Sequence, residues 1–549
     1  MDKIMHMKRI LKISAIVGIV VIGMSATMSP RNKYFEILKN LEIFTNLYKE
    51  INTYYVDDVD PGQLMRTGID AMMESLDPFT NYISESEIEG YRFMTEGKYN
   101  GIGAISQQID SFVTIVELYE DQAADQAGLK PGDRIISVDG KDAVGKTPEQ
   151  VNNILRGFPG TEVELEIRRP GEPEDFKVSI TRTEVEVENV PYYGMLNDEI
   201  GYVALTTFTR NAGKNVGSAL KALEAENPNM KGVVFDLRGN GGGLLTEAVN
   251  VSNVFIPRGE VVVTTKGKVK EWDRSFSTMG SSTDEEIPVV VLINDRSASA
   301  SEIVSGVLQD YDRGVLMGQR SYGKGLVQNT RDIGYNSKLK LTTAKYYIPS
   351  GRCIQSVEYE DGEPVDIPDD RRTPFTTRNG RTVLDGGGVK PDVMVDKFTD
   401  ASIVKSLIDQ HLIFDFVTEY LIGVDSIDMV EDYRFDDFQA FVDYLDTQAF
   451  QYDTESEKLL KKLQKASQKE GYDLTEEIAA LQQDIKASKK DALQKNQEVI
   501  IDLIEKDVAS RFYYQKGKIK MGLRNDKEIE EAIALLNDTA RYNSILSGQ

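Results

Sequence analysis

The chain has 549 residues, 40% of them hydrophobic, which predicts three or four domains with room for large cores. Its formal net charge of −25 argues against nucleic acid as a partner, because no basic stripe is available to displace counterions from phosphates. Two histidines and one cysteine leave almost nothing for a His-ligated zinc site and rule out an intrachain disulfide framework.

Lys3, Lys8, Arg9 and Lys12 form a basic head before an apolar run from Ile13 to Ala26. About fourteen such residues suit a signal-peptide core and fall short of the roughly twenty that a membrane span needs. Residues 1–30 are therefore expected to direct export, with cleavage and retention as an N-terminal membrane anchor both open. From residue 31 to 97 the pattern is helical: Phe35, Leu38, Leu41, Phe44, Leu47 and Ile51 recur every three or four positions. A second helix over Pro61 to Leu76 runs up to the break at Asp77-Pro78.

Residues 98–187 carry Tyr99-Asn-Gly-Ile-Gly-Ala104, a strand pattern from Phe112 to Leu118, then Ala127-Gly-Leu-Lys-Pro-Gly-Asp-Arg-Ile-Ile136 and Val138-Asp-Gly140. A helix is expected over Thr147 to Arg156. This segment resembles a PDZ domain. The resemblance implies that backbone N–H groups of Gly101, Ile102, Gly103 and Ala104 receive a peptide carboxylate, while an extended peptide adds as a strand beside the helix.

From residue 188 the pattern becomes α/β. Ile200 to Phe208 reads as a strand, Asn215 to Glu226 as a helix, and Gly232 to Leu237 as a buried strand. Gly239-Asn-Gly-Gly-Gly243 follows, then a helix from Leu244 to about Val254. The glycine turn lacks both a GKS/T lysine and GxGxxG spacing, which argues against a nucleotide site. Val289 to Ile293 is a continuously apolar strand leading into Ser297-Ala-Ser-Ala-Ser301, after which Ile303, Val304, Val307 and Leu308 keep helical spacing. A helix thus begins near Ser299, and a strand, tight turn and helix is an arrangement that displays a nucleophile. Ser299 could attack a carbonyl while the unpartnered Ala300 N–H holds the developing oxyanion. The same Ser299-x-x-Glu302 is also a capping box. With only His6 and His411 in the chain, the base for such a serine is expected to be a lysine, and Lys324, between Gly323 and Gly325, is the candidate.

The segments SASASEI, LQDYDRGVLMG and GKGLVQ, at this spacing, closely resemble the C-terminal processing peptidases, or tail-specific proteases, which use a Ser/Lys dyad. The resemblance implies Ser299 as nucleophile, Lys324 as general base and Gln328 as the residue that orients the lysine. A spacing of four suits one helical turn, whereas on an extended strand the two side chains stand about 13 Å apart. The DLRGNGGG segment implies a second oxyanion donor on the Gly243 N–H, with Gly242 the alternative. Further on, Leu339 to Tyr347 reads as a strand, and Ile348-Pro-Ser-Gly-Arg-Cys-Ile-Gln355 and Gly386-Gly-Gly-Val-Lys-Pro-Asp392 are again family-like. Cys353 stands where a small polar residue is expected, and an acidic insert spans Glu358 to Asp370.

Residues 397–549 fall outside the resemblance and are helical in pattern, with Leu459, Leu460, Leu463, Ile478, Leu481, Ile485, Ile500, Leu503 and Ile504 at apolar positions. They fit a packed helical domain or, alternatively, extended paired helices for dimerisation. The expected fold is a multidomain α/β protein: an α/β peptidase core over 188–396 preceded by a PDZ domain and flanked by helical segments. The expected function is that of an exported, periplasmic or cell-envelope serine endopeptidase acting on proteins with accessible C-termini. It needs no metal or organic cofactor. The alternative is a catalytically inactive PDZ scaffold.

Overall fold

Gly232–Asp236 and Val289–Ile293 are buried at every position, so both faces of these strands must be covered. A computed structural model describes residues 30–355, 359–360, 363–365, 368–396, 401–448, 450–489 and 491–548. In it these strands lie inside a six-stranded sheet ordered Tyr192–Met195, Ile200–Ala204, Gly232–Asp236, Val289–Ile293, Val315–Gly318 and Val393–Met394. The first pair is antiparallel and the rest are parallel, which requires crossover connections.

Alternate residues sort to opposite faces. Val233, Phe235, Val289, Val291 and Ile293 share a core with the helices Ala212–Glu226, Leu245–Phe255 and Ala300–Asp310. Val234, Val290, Leu292, Val315 and Met317 instead meet Ile529, Ala532, Leu535, Leu536 and Tyr542. The second face is therefore covered by the helices Lys527–Asn537 and Thr539–Ser547 at the far end of the chain. Tyr542 fixes that contact: its hydroxyl accepts the Val289 N–H at 3.0 Å and donates to the Val289 carbonyl at 3.1 Å.

The PDZ sheet is antiparallel, ordered Ala104–Ile109, Phe112–Leu118, Arg134–Val138, Glu162–Arg168 and Phe176–Thr181, with Ile115, Ile135, Leu165 and Ile167 in its core. Its helix, Pro148–Leu155, starts at a Thr147/Gln150 capping box with proline in the first turn and buries Val151 and Leu155. Strands Val261–Gly267, Arg274–Ser277, Leu326–Gly334 and Ser337–Tyr347 pair antiparallel beside the peptidase core.

A third core gathers Phe416, Phe441, Ile500, Ile504 and Val508 from the C-terminal helices. Of the apolar positions named there, Leu459, Leu463 and Leu481 are exposed; they lie on the contacting helices Glu455–Glu470 and Thr475–Lys489.

The described residues up to Tyr82 and those from Ile83 on form two compact units. In the first, helices Pro30–Tyr54 and Pro61–Glu74 are joined by a hydrogen bond from the Tyr48 hydroxyl to the Pro61 carbonyl at 2.6 Å. Phe35, Leu38, Leu41 and Leu47 on the longer helix are exposed. A further helix within residues 31–97, Ile88–Glu96, belongs to the second unit. The basic head and apolar run before residue 30 lie outside the described residues. Among the described residues no helix is long and apolar enough to cross a membrane.

Candidate active site

Ser299 stands where the central strand Val289–Ile293 has turned into the helix Ala300–Asp310, at φ 54° and ψ −110°. A residue with a Cβ held there costs of order 1–3 kcal/mol, so its surroundings must fix it. They do so from the glycine turn. Ser297 Oγ donates to the Leu237 carbonyl at 2.8 Å, and the Asn240 carbonyl accepts both the Ala298 N–H at 3.0 Å and Ser301 Oγ at 2.8 Å. The Ala300 N–H is at the first position of the helix, where no intrahelical acceptor exists.

The glycine turn approaches Ser299 so closely that only glycine fits. At Gly242 (φ +100°) a Cβ would lie 2.7 Å from the Ala298 carbonyl oxygen, 2.8 Å from Ser299 Cβ and 2.9 Å from the Ala300 nitrogen. Gly243, at φ +148°, forms a bridge with Phe208, whose backbone pairs with Gly242 and Leu244. The two possible oxyanion donors differ in how they are used. Asn240 Oδ1 accepts the Gly242 N–H at 2.9 Å, whereas the Gly243 N–H is committed to no acceptor among the described residues.

Glu302 joins the serine to the lysine loop. One carboxylate oxygen accepts Ser321 Oγ and the Gly323 N–H, each at 2.6 Å; the other accepts the Ser299 and Lys324 N–H groups, each at 2.8 Å. Burial pushes this carboxyl above its usual range, against the pull of those donors. The Ser-x-x-Glu pattern is thus more than a cap: its glutamate holds the backbone on both sides of the site. The Tyr346 hydroxyl adds a bond to the Lys324 carbonyl at 2.7 Å.

Ser299, Ala300, Gly242, Gly243, Lys324 and Gln328 all line one cavity of about 530 Å³, walled also by Phe93, Met94, Leu245, Ile303 and Leu326. Gln328 sits on the strand Leu326–Gly334 and not on a helical turn; the register shifts between Val327 and Gln328, and its amide donates to Thr342 Oγ1 at 3.2 Å. Lys340 lines the same cavity, and burial lowers the pKa of its amine. Sequence reasoning missed Lys340, because a lysine within a strand pattern carries no local mark of the cavity it faces. His411 begins the helix Leu412–Tyr420 and does not line this cavity.

In the PDZ domain, Gly101, Ile102 and Gly103 are buried between the strands Lys98–Gly101 and Ala104–Ile109. Gly103 stands at φ +82°, with Gln122 Cβ 2.3 Å from where its own Cβ would be. The Tyr99 hydroxyl faces the Gly103 and Ala104 N–H groups, and burial pushes its pKa up to about 12. Its ring meets that of Phe93, a wall of the Ser299 cavity, edge-on at 5.6 Å. The predicted carboxylate loop and the cavity thus share one aromatic contact.

Residues 199–364 match the family model of peptidase family S41, residues 114–169 a PDZ domain, and residues 403–536 the "Probable PDZ-protease, C-terminal helical domain". A carboxy-terminal-processing protease of Bartonella bacilliformis is 36% identical over 333 residues, which cover 60% of this chain and 75% of that protein. A probable CtpA-like serine protease of Staphylococcus haemolyticus is 34% identical over 312 residues, 56% of this chain and 61% of its own length. Among solved structures, the photosystem II D1 C-terminal processing protease shares 27% identity, covering 64% of this chain and 92% of its own, with a TM-score of 0.35. The chain belongs to peptidase family S41, among the carboxy-terminal-processing proteases, and is a serine-type peptidase with a PDZ domain.

Proposed function

We propose that this protease is exported, holds protein C-termini in its PDZ domain and cleaves them with a Ser299/Lys324 dyad. The observation that carries the reading is the convergence of Ser299, Ala300, Gly243, Lys324 and Gln328 on one cavity. Lys324, acting in its uncharged form, takes the proton of Ser299 Oγ as that oxygen bonds to the scissile carbonyl carbon. The oxyanion is held by the Ala300 and Gly243 N–H groups; the commitment of the Gly242 N–H to Asn240 favours Gly243 as the second donor. Collapse of the tetrahedral intermediate breaks the C–N bond, and the amine leaves with the proton from Lys324. Water, deprotonated by the same lysine, then releases the acyl group and restores Ser299. Gln328 orients the lysine.

The Gly101–Ala104 loop receives the substrate carboxylate, and the N-terminal basic and apolar segment supports export with membrane association before or instead of cleavage. Exposed apolar positions on the helix Pro30–Tyr54 support a homodimer through helical segments. The dyad is tested by cleavage of an unstructured protein: Ser299→Ala and Lys324→Ala each abolish it while leaving the fold intact. Full activity in either variant refutes the mechanism.

A further inference from the structure

The helix Lys527–Asn537 meets the peptidase core with its acidic start. Asp526 caps it, accepting the Glu528 and Ile529 N–H groups at 2.9 and 3.3 Å. Arg238 Nη1 lies 2.8 Å from Asp526 Oδ2 and 2.6 Å from Glu528 Oε2, while its Nη2 bonds Asp236 at 2.6 Å. The other Glu528 oxygen accepts the Gln319 amide at 2.5 Å. These side chains are well sheltered, with Arg238 19% and Glu528 14% exposed.

The two residues that Glu528 ties together are the roots of the two loops of the site. Arg238 immediately precedes the Gly239–Gly243 turn, and Gln319 lies five residues before Lys324. A glycine turn has little conformational preference of its own, so its placement depends on what anchors its ends. At its start the Gly239 N–H bonds Asn294 Oδ1 at 2.9 Å, and Arg238 beside it is held by the far end of the chain. Charge-assisted bonds to a planar guanidinium fix direction as well as distance.

We propose that Glu528, supported by Asp526, is a positioning residue for catalysis, holding the oxyanion turn and the lysine loop in register from the C-terminal helical domain. This rests on the Ser299/Lys324 site. The helical domain is then part of the catalytic apparatus and not only a cover for the sheet. A shift of about 1 Å in either loop costs about a hundredfold in rate when reacting groups lose alignment. Such a shift falls mainly on the reacting groups and leaves binding of a short substrate largely untouched, because Phe93, Met94 and Ile303, walls of the same cavity, lie outside both loops.

The test uses the full chain and a serine-directed fluorophosphonate, with kcat and KM measured on a short peptide and thermal unfolding followed in parallel. Labelling of Ser299 in the wild type comes first; if another serine is labelled, the site assignment fails and the Glu528 variants are not needed to say so. With Ser299 labelled, Glu528→Ala slows phosphonylation and kcat by about tenfold or more and leaves KM within about twofold, in protein still folded at the assay temperature. Glu528→Gln recovers part of the loss, because the new carbonyl still accepts from Arg238, while turning the Gln319 amide to accept from the new NH2 gives up its bond to the Val395 carbonyl. Wild-type phosphonylation in Glu528→Ala, a change confined to KM, or a loss that appears only with unfolding overturns the proposal.

Discussion

Replacing Glu302 by glutamine probes how the serine and the lysine are held together. The carboxylate accepts four hydrogen bonds at 2.6–2.8 Å, two on each oxygen. A glutamine presents an NH2 where one oxygen stood, so two donors lose their acceptor: either the Ser299 and Lys324 N–H groups, or Ser321 Oγ and the Gly323 N–H. A buried donor without a partner costs about 1–3 kcal/mol, or about 2–6 kcal/mol for two. Removing a charge that burial disfavours offsets part of this. The N–H groups must retreat from the new NH2, and a shift of about 1 Å between Ser299 and Lys324 costs about a hundredfold in kcat. Hydrolysis of a fluorogenic peptide and thermal unfolding, measured on the same preparation, read both effects. Wild-type kcat together with wild-type stability in Glu302→Gln would refute the reasoning.

Gly242→Ala places a Cβ within 2.7–2.9 Å of the Ala298 carbonyl, Ser299 Cβ and the Ala300 nitrogen; peptide hydrolysis is expected to fall by about a hundredfold or more, as on loss of an oxyanion donor. Gly103→Val strains a backbone at φ +82° and collides with Gln122. It is expected to raise KM for a tail-bearing protein by about tenfold, equivalent to about 1.4 kcal/mol, with the rate on a small ester unchanged. Lys340→Met tests which cavity lysine acts as base: proteolysis persists if the base is Lys324. Because burial lowers the Lys340 pKa, the folded chain bears the full cost of its charge below the folded-state value, and that cost fades as pH rises towards 10.5. The variant is therefore more stable than wild type near neutral pH, by a margin that shrinks as pH climbs, which chemical denaturation across that range measures.

The helix Ala300–Asp310 was legible because its signals are local: an apolar strand, small residues, then apolar positions at helical spacing within twenty residues. Lys324 was singled out by its two flanking glycines and by the resemblance of GKGLVQ to the family segment, since the scarcity of histidine points to a lysine without saying which. The partners of Glu302 did not, because a capping box explains the glutamate and nothing in the tetrapeptide points to Ser321 or Gly323. Arg238 and Glu528 meet across 290 residues, a pairing that no periodicity encodes. The cover of the second sheet face is an intermediate case. The unbroken apolar run of Val289–Ile293 demands two covered faces, but not that the last helices supply one. At Leu459, Leu463 and Leu481 helical spacing was visible and exposure was not, because a periodic stripe says which side is apolar and not whether anything lies against it. Gln328 could be read at helical or strand spacing, and its place on a strand with a shifted register follows from pairing with Ser337–Tyr347.

The central claim is that Ser299 is made nucleophilic by Lys324. It is tested most directly by reacting the wild type, Ser299→Ala and Lys324→Met with a fluorophosphonate and locating the adduct by peptide mass spectrometry. The account predicts a single adduct on Ser299 in the wild type, none in Ser299→Ala, and a rate at least about a hundredfold lower in folded Lys324→Met. An adduct on a different serine, or an undiminished rate without the Lys324 amine, contradicts it.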